Sequence, residues 1–196
     1  GTKLAEGPGF DGPRGLSEPD LEPVWSPDGE SIVFTATTNR NVEAYAPSAT
    51  HLYRVPAAGG EPSALTSGAD SYSKPVFRPD GKALYALHSK RSDTALYSLS
   101  RLASMAWPGG PPRLATPDWD RSVSGVAFSP DSARVYVTAE DQGNDKLFAF
   151  PAGGGAVEPV LEVNDGGYSG LVIPERTAVP FLVALWGSMT HPEDLV

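Results

Sequence analysis

One four-residue motif recurs three times along this chain at an almost constant spacing. It reads SPDG at residues 26–29, RPDG at 78–81 and SPDS at 129–132, which gives a repeat of roughly 50 residues. In a type I β-turn, proline presets φ at the second position, aspartate tolerates the third, and glycine supplies the freedom wanted at the fourth. Each copy therefore predicts a tight corner between two strands.

Short apolar segments flank each corner and predict paired strands. These segments are residues 24–25 and 32–34 at the first corner, 76–77 and 83–87 at the second, and 126–128 and 135–137 at the third. A third apolar segment follows at 52–55, 96–99 and 147–150, and a glycine-rich break then leads to a fourth that ends near Leu65, Leu114 or Val160. The pattern predicts four strands per repeat.

A repeat of roughly 50 residues built from four short antiparallel strands is typical of a propeller blade, with a period nearer to kelch repeats than to WD40 repeats. We therefore predict an all-β fold, a partial β-propeller of four-stranded antiparallel, WD40-like blades with Pro-Asp-Gly corners. The alternative is a β-sandwich in which similar turns arose by chance. Sandwiches, however, show turn signals every 8 to 12 residues, roughly, without this longer period.

The repeat divides the chain into an irregular arm, or the tail of a preceding blade, at residues 1–21 and a propeller segment at 22–196. Blades are predicted at about 22–67, 74–116 and 124–163, and a partial fourth blade is predicted at 168–196, where PERT replaces the corner. Because the last repeat is incomplete, we expect a piece of a larger polypeptide. Its open blade faces would be covered by missing sequence or by a second copy in a homodimer.

Composition excludes several classes of partner and site. The formal net charge of −9 argues against nucleic acid, although residues 71–121 are locally basic, which we interpret as solvated strands and turns. The sequence contains no cysteine, so neither a disulfide framework nor a thiolate metal site is expected, and the compartment stays open between cytoplasm and periplasm. The most apolar run, residues 178–186, is too short to cross a bilayer, so no membrane span is expected.

Nucleophilic hydrolysis needs a hydroxyl, a histidine and an orienting acid. We interpret His51 and His88 as surface or edge residues because they stand at the ends of predicted strands. His191 is crowded by hydroxyl and carboxylate side chains at 187–194, but triad members normally come from separate elements, so this segment is interpreted as a loop. Ser169 lies in GYSGL, which lacks the last glycine of a nucleophile elbow. The sequence therefore predicts no catalytic residue.

Residues 140–145, EDQGND, offer the polar oxygens of a calcium loop. They lack the EF-hand spacing and its closing glutamate, so a hairpin connection is favoured. No metal or cofactor site is predicted anywhere in the chain.

Four stretches around the first corner resemble a known family. They are PVWSPDG at 23–29, IVFTA at 32–36, HLYRV at 51–55 and GGEP at 59–62. Together they are similar to the propeller of the prolyl oligopeptidase family, in its dipeptidyl aminopeptidase and acylaminoacyl peptidase branch. LWGS and HPEDL near the end resemble the last blade before the α/β-hydrolase domain of that family, so the resemblance covers about 23–196.

This resemblance implies the C-terminal part of the N-terminal propeller of a serine peptidase. Family members carry Ser, Asp and His in the hydrolase domain, while the propeller restricts entry to short or unfolded peptides. The resemblance thus implies a noncatalytic gate and scaffold, with the hydrolase domain of the parent chain as partner and peptides as the substrates of the parent.

Two other classes stay open. The Pro-Asp-Gly corner also marks the propeller of the Tol system's periplasmic protein, so a Tol-type protein-binding module, with residues 37–50 as the contact region, is the alternative. An autonomous propeller enzyme would need polar side chains that converge at the ring axis.

Overall fold

The corners and their flanking apolar segments build a series of small antiparallel sheets. A computed structural model describes residues 21–37, 49–91, 98–161, 165–174 and 181–196. Most of the predicted arm, residues 1–20, lies outside the described residues. In the part of the chain that is described, no helix has the length and hydrophobicity needed to cross a membrane.

Each sheet follows the chain in order, strand beside consecutive strand. Blade 1 comprises β1 (Val24–Trp25), β2 (Ser31–Ala36), β3 (His51–Pro56) and β4 (Ser63–Ala64). Blade 2 comprises β5 (Ser71–Phe77), β6 (Ala83–Ser89), β7 (Ser100–Ala106) and β8 (Arg113–Leu114). Blade 3 comprises β9 (Val123–Phe128), β10 (Arg134–Asp141), β11 (Asn144–Pro151) and β12 (Glu158–Pro159). The strands of blade 4 are β13 (Gly167–Val172), β14 (Val183–Gly187) and β15 (Asp194–Leu195).

All pairings within these sheets are antiparallel, as the register of every strand pair shows. Sequential four-stranded meanders that pack face to face are the architecture of propeller blades. The predicted fold class, a partial all-β propeller, is therefore confirmed.

The repeated corners adopt the predicted turn. The fourth residue of each corner donates its amide to the carbonyl of the first, at 2.8 Å for Gly29 to Ser26 and 2.9 Å for Gly81 to Arg78. The φ angles of Gly29 and Gly81 are 72° and 71°, in the left-handed region that glycine tolerates best.

Ser132 occupies the same corner position without being glycine, with φ at 62°. A contact between neighbouring blades gives a reason for the exception. The Ser132 hydroxyl accepts a hydrogen bond of 2.9 Å from the amide of Asp80, in the preceding corner. The corners of blades 1 and 2 also touch, because a Cβ atom placed on Gly81 would lie 3.0 Å from Cβ of Pro27.

Strand β6 shows how the core is arranged. Leu84 and Ala86 belong to a hydrophobic cluster shared with Val33 and Leu52 of blade 1. Tyr85 and Leu87 point to the opposite face of the sheet and belong to a second cluster, which is shared with blade 3. Blade 2 is therefore covered on both faces, which explains why β6 has a continuous apolar sequence instead of an alternating one.

Two predicted strands are wrong in position. The third strand of blade 2 was expected at 96–99, but residues 96 and 97 lie outside the described part, Ser98 and Leu99 are not in a strand, and β7 covers Ser100–Ala106. Pairing with β6 and burial of Leu102 and Met105 fix its position, which a sequence match to the LYRV segment of blade 1 could not reveal. In blade 4, β14 begins at Val183, two positions after the expected start at Phe181.

Candidate functional site

The first strand of blade 1 is preceded by a bulge that contains a proline. The Leu21 carbonyl accepts a hydrogen bond of 2.8 Å from the amide of Thr35, and Val24 pairs with Val33. Glu22 and Pro23 therefore face a single residue of the partner strand. Proline lacks an amide hydrogen, so within sheets it is found mainly at such bulges and at edges.

Blade 2 repeats this bulge at the equivalent place. The β5–β6 register shifts between Ser73 and Val76, so that Lys74 and Pro75 form the extra segment. Glu22 and Lys74 share a left-handed backbone, with φ of 45° and 49°. Left-handed geometry is uncommon for residues other than glycine and marks positions that the surrounding structure holds in place.

The first strands of blades 3 and 4 are irregular as well. In β9 the register shifts where Gly125 pairs with Thr138 and Val123 pairs with Ala139, so Ser124 is left over. In β13 the shift lies between Ser169 and Val172. All four first strands thus bend, and bulges are frequent beside functional sites because they redirect side chains.

The bends of blades 1 to 3 surround a cavity of about 320 Å³. Glu22, Pro23, Val24, Lys74, Pro75, Val76, Leu87, Ser124, Gly125 and Val126 line it. Except for Leu87, every one of these residues belongs to a first strand or to its bulge. The cavity therefore lies where the first strands of three consecutive blades meet, and its volume is at the lower end for small-molecule pockets.

Two polar contacts connect the three bulges across this cavity. The Lys74 amide donates to Oε2 of Glu22 at 2.6 Å, which joins blade 2 to blade 1. The Lys74 ammonium donates to the carbonyl of Ser124 at 3.4 Å, which joins blade 2 to blade 3. Glu22 and Lys74 are the charged side chains among the described residues that line the cavity.

Gly125 and Thr138 lie very close together in the part of the cavity wall that blade 3 supplies. A Cβ atom added to Gly125 would lie 2.6 Å from Oγ1 of Thr138, a contact too short for any real Cβ. Thr138 is buried, and its Oγ1 lies 3.0 Å from the Ser124 hydroxyl. A larger residue at position 125 would therefore force Thr138 or the adjacent backbone to shift.

None of the histidines singled out from sequence lines this cavity. His51 begins β3, and its Nδ1 lies 3.4 Å from Oγ1 of Thr66, while burial lowers the pKa of its imidazole. His88 lies near the end of β6 with Nε2 2.9 Å from Oδ2 of Asp70. That hydrogen bond holds the pKa of the Asp70 carboxyl below its usual value.

The other candidate hydroxyl and imidazole lie in blade 4, with different partners. Nδ1 of His191 lies 3.0 Å from the hydroxyl of its neighbour Thr190, in the connection between β14 and β15. Ser169 instead donates to Oε1 of Glu193 at 3.1 Å. The imidazole and the Ser169 hydroxyl thus do not form the nucleophile–base hydrogen bond that an acyl-transfer site requires.

The acidic segment at 140–145 lies in the β10–β11 hairpin, where Asp141 pairs with Asn144. The Asp141 carboxylate accepts hydrogen bonds from the Lys146 ammonium at 2.8 Å and from Nε of Arg121 at 3.0 Å. The hydrogen bond from Lys146, and to a smaller extent the one from Arg121, lowers the pKa of the Asp141 carboxyl. Two cations already occupy Asp141, and in the described part of the chain no group of three potential metal ligands occurs.

The sequence contained a signal for the cavity that strand patterns alone do not reveal. EPV at 22–24 and KPV at 74–76 occupy equivalent places, each just before a corner. A proline inside a predicted strand is a mark of a bulge or an edge.

No family model matches the chain, whereas comparisons with curated proteins and with solved structures both find similar proteins. The chain is 28% identical over 192 residues to dipeptidyl-peptidase 5 of Aspergillus fumigatus, which covers 88% of this chain and 25% of that protein. It therefore spans about a quarter of the length of the curated relatives that it matches. Other members of the same group, from Trichophyton, reach 30% identity over 74% of the chain.

Among solved structures, the acylaminoacyl peptidase of Pyrococcus horikoshii matches with a TM-score of 0.65 and 20% identity, over 88% of this chain and 25% of that one. TolB of Acinetobacter baumannii matches with a TM-score of 0.57 and 17% identity, over 90% of this chain and 43% of that one. At these identities the structural likeness supports the fold alone.

Proposed function

Because this chain is a propeller segment related in sequence to the dipeptidyl-peptidases of the prolyl oligopeptidase family, we propose that it scaffolds and restricts peptide access to an α/β-hydrolase domain. In this proposal the chain itself performs no bond cleavage. The hydrolase domain of the longer protein supplies the serine, aspartate and histidine of a serine peptidase, and peptides are its substrates.

The cavity at the first strands is the observation that carries this proposal. Apart from Leu87, its wall is made by the first strands of three neighbouring blades and their bulges, so its width depends on how those blades are spaced. The two charged contacts between bulges hold that spacing, from Glu22 to Lys74 and from Lys74 to Ser124. A cavity bounded in this way would limit the size of the peptide segment that enters it, without any reactive group of its own.

Filling the cavity should slow long substrates more than short ones. In the protein that joins this sequence to its hydrolase domain, Ser124→Trp places an indole at an exposed position of the cavity lining. We expect kcat/KM for peptides of about ten residues to fall by about tenfold, equivalent to about 1.4 kcal/mol of barrier. Turnover of a small dipeptidyl chromogenic amide should change little. Steady-state kinetics over a series of peptide lengths measures both.

Ser124→Ala is the matched control, because it removes the same hydroxyl contacts without adding volume. The isolated chain, incubated with the same substrates, controls for activity outside the hydrolase domain. Equal losses for long and short substrates in Ser124→Trp would contradict a gate, and so would no loss for either.

The Tol-type module has less support. The likeness to TolB is one of fold, at 17% identity, whereas the sequence relatives named above are peptidases. Residues 38–48, most of the loop expected to contact a protein partner, lie outside the described residues.

We also propose that a second copy covers the outer faces of blades 1 and 4 when the chain is alone. On blade 1, Trp25 is 62% exposed and shares its face with Ile32, its partner in register. On blade 4, Val172 and Leu195 are 55% and 69% exposed. Apolar sheet faces of this kind normally pack against another blade.

Light scattering of the purified chain is expected to give twice the mass of one copy. Trp25→Arg should shift the molecules toward a single copy, because a buried unpaired charge opposes association. Lys82→Glu, at an exposed corner position, should leave the mass unchanged. A single-copy mass for the unmodified chain at high concentration would refute the homodimer.

A further inference from the structure

Lys74 is held in an unusual geometry that directs it at the cavity. Its backbone is left-handed, with φ at 49°, and its amide is satisfied by the Glu22 carboxylate instead of by a strand partner. The next residue, Pro75, is buried and has no amide hydrogen to compete for that carboxylate. The bulge therefore fixes the backbone conformation of Lys74. A fixed backbone lowers the conformational entropy that is lost when the ammonium binds a ligand.

The Lys74 ammonium has donors to spare. An ammonium carries three N–H groups, and among the described residues one of them meets an acceptor, the Ser124 carbonyl at 3.4 Å. No ion pair joins Lys74 to a carboxylate in the described part of the chain. By contrast, two arginines of the same basic stretch form ion pairs. Arg78 pairs with Asp80, and Arg121 pairs with Asp120 and Asp141.

The surroundings of Lys74 favour a small anionic ligand. Lys74 is exposed at the cavity, and Val24, Val76, Leu87 and Val126 supply apolar surface to the cavity lining. A ligand that fills the cavity displaces water from the ammonium, which strengthens the ion pair relative to one in bulk solvent. A volume of about 320 Å³ admits a ligand of two or three residues, which excludes a folded protein.

We propose that this cavity binds the carboxylate of a short peptide through Lys74. This inference rests on the proposed function, because it names the chemical group of the peptide that the cavity recognises. Glu22 is a positioning residue. It holds the amide of Lys74 through Oε2, and its own negative charge limits how tightly a carboxylate binds, so that bound peptide can leave.

The test uses N-acetyl-trialanine with a free carboxylate and the same peptide with a C-terminal amide, each titrated by NMR into the chain. The acid should bind roughly tenfold more tightly than the amide, because a hydrogen bond between charged groups outweighs a neutral one. Lys74→Met keeps the apolar stem and should remove that preference. Lys82→Met, an exposed lysine outside the cavity, should retain it.

Glu22→Gln separates the effect of the Glu22 charge on ligand binding from the hydrogen bond that Glu22 accepts from the Lys74 amide. The amide oxygen of glutamine still accepts from the Lys74 backbone, while the repulsive charge is lost, so the acid should bind about twofold to threefold more tightly. Raising the salt concentration should weaken binding of the acid more than binding of the amide. Thermal unfolding of each variant verifies that the cavity is still formed.

The outcomes distinguish this inference from the function on which it rests. Equal affinity for acid and amide, binding that survives Lys74→Met, or no binding of either peptide overturns the carboxylate site while the gate can still stand. A Lys74-dependent preference for the acid, combined with no length effect in Ser124→Trp, supports the carboxylate site and removes the gate.

Discussion

Tyr85→Ala is expected to lower the free energy of unfolding by about 3–5 kcal/mol, the range for deleting a large buried aromatic side chain. The Tyr85 side chain is 2% exposed, and its ring packs edge-on against Phe128 with centroids 4.9 Å apart. Its hydroxyl donates to the carbonyl of Ala152 at 3.0 Å. One side chain of blade 2 thus supplies both apolar and polar contacts to blade 3. Urea unfolding followed by far-UV circular dichroism measures the loss.

Tyr85→Phe is the matched control for that experiment. It keeps the ring in its place and removes only the hydroxyl, so the expected loss is about 1 kcal/mol, the typical net value of one hydrogen bond. If alanine and phenylalanine cost the same, the ring does not join the two blades as the packing indicates.

Gly125→Ala is expected to cost about 1–3 kcal/mol, the usual range for overpacking a well-filled site. The added methyl group would meet Oγ1 of Thr138 at 2.6 Å, and Thr138 cannot move away easily because it is buried and β-branched. The same variant should weaken peptide binding in the cavity, since Gly125 is part of the lining. Thermal unfolding and the NMR titration measure the two effects.

A second substitution tests the stated cause. Thr138→Ala removes the oxygen that the new methyl group would hit, so the double variant should lose less stability than the sum of the two single variants. Additive losses would show that Gly125 is required for another reason.

The fold was predictable because local chemistry repeats along the chain. Each Pro-Asp-Gly corner is decided by its own four residues, and the apolar segments beside it pair locally. The sequence predicts a strand at 96–99 because the pair Leu96-Tyr97 repeats the pair Leu52-Tyr53 of blade 1. The register of β7 depends on contacts with β6 and on burial between blades, which are properties of the folded sheet.

The cavity was harder to predict from sequence. Its residues are ordinary ones, and what distinguishes Glu22 and Lys74 is a backbone conformation together with proximity across two blades. His191, in a segment rich in hydroxyl and carboxylate groups, contacts its sequence neighbour Thr190. Crowding in sequence and convergence in space are different properties. The signal for convergence was the proline just before two of the corners, in EPV at 22–24 and KPV at 74–76.

The hydrogen bond between Ser132 and Asp80 ties two successive corners together on one rim of the blades. In blade 3 the connection between the second and third strands, residues 142–143, lies at the opposite end of β10 from the corner. In the sequence of blades 1 to 3, the segments between the second and third strands differ widely in length, whereas the three repeated corners each have four residues. A longer or shorter segment between the second and third strands of blades 1 to 3 should therefore leave the hydrogen bond between successive corners in place.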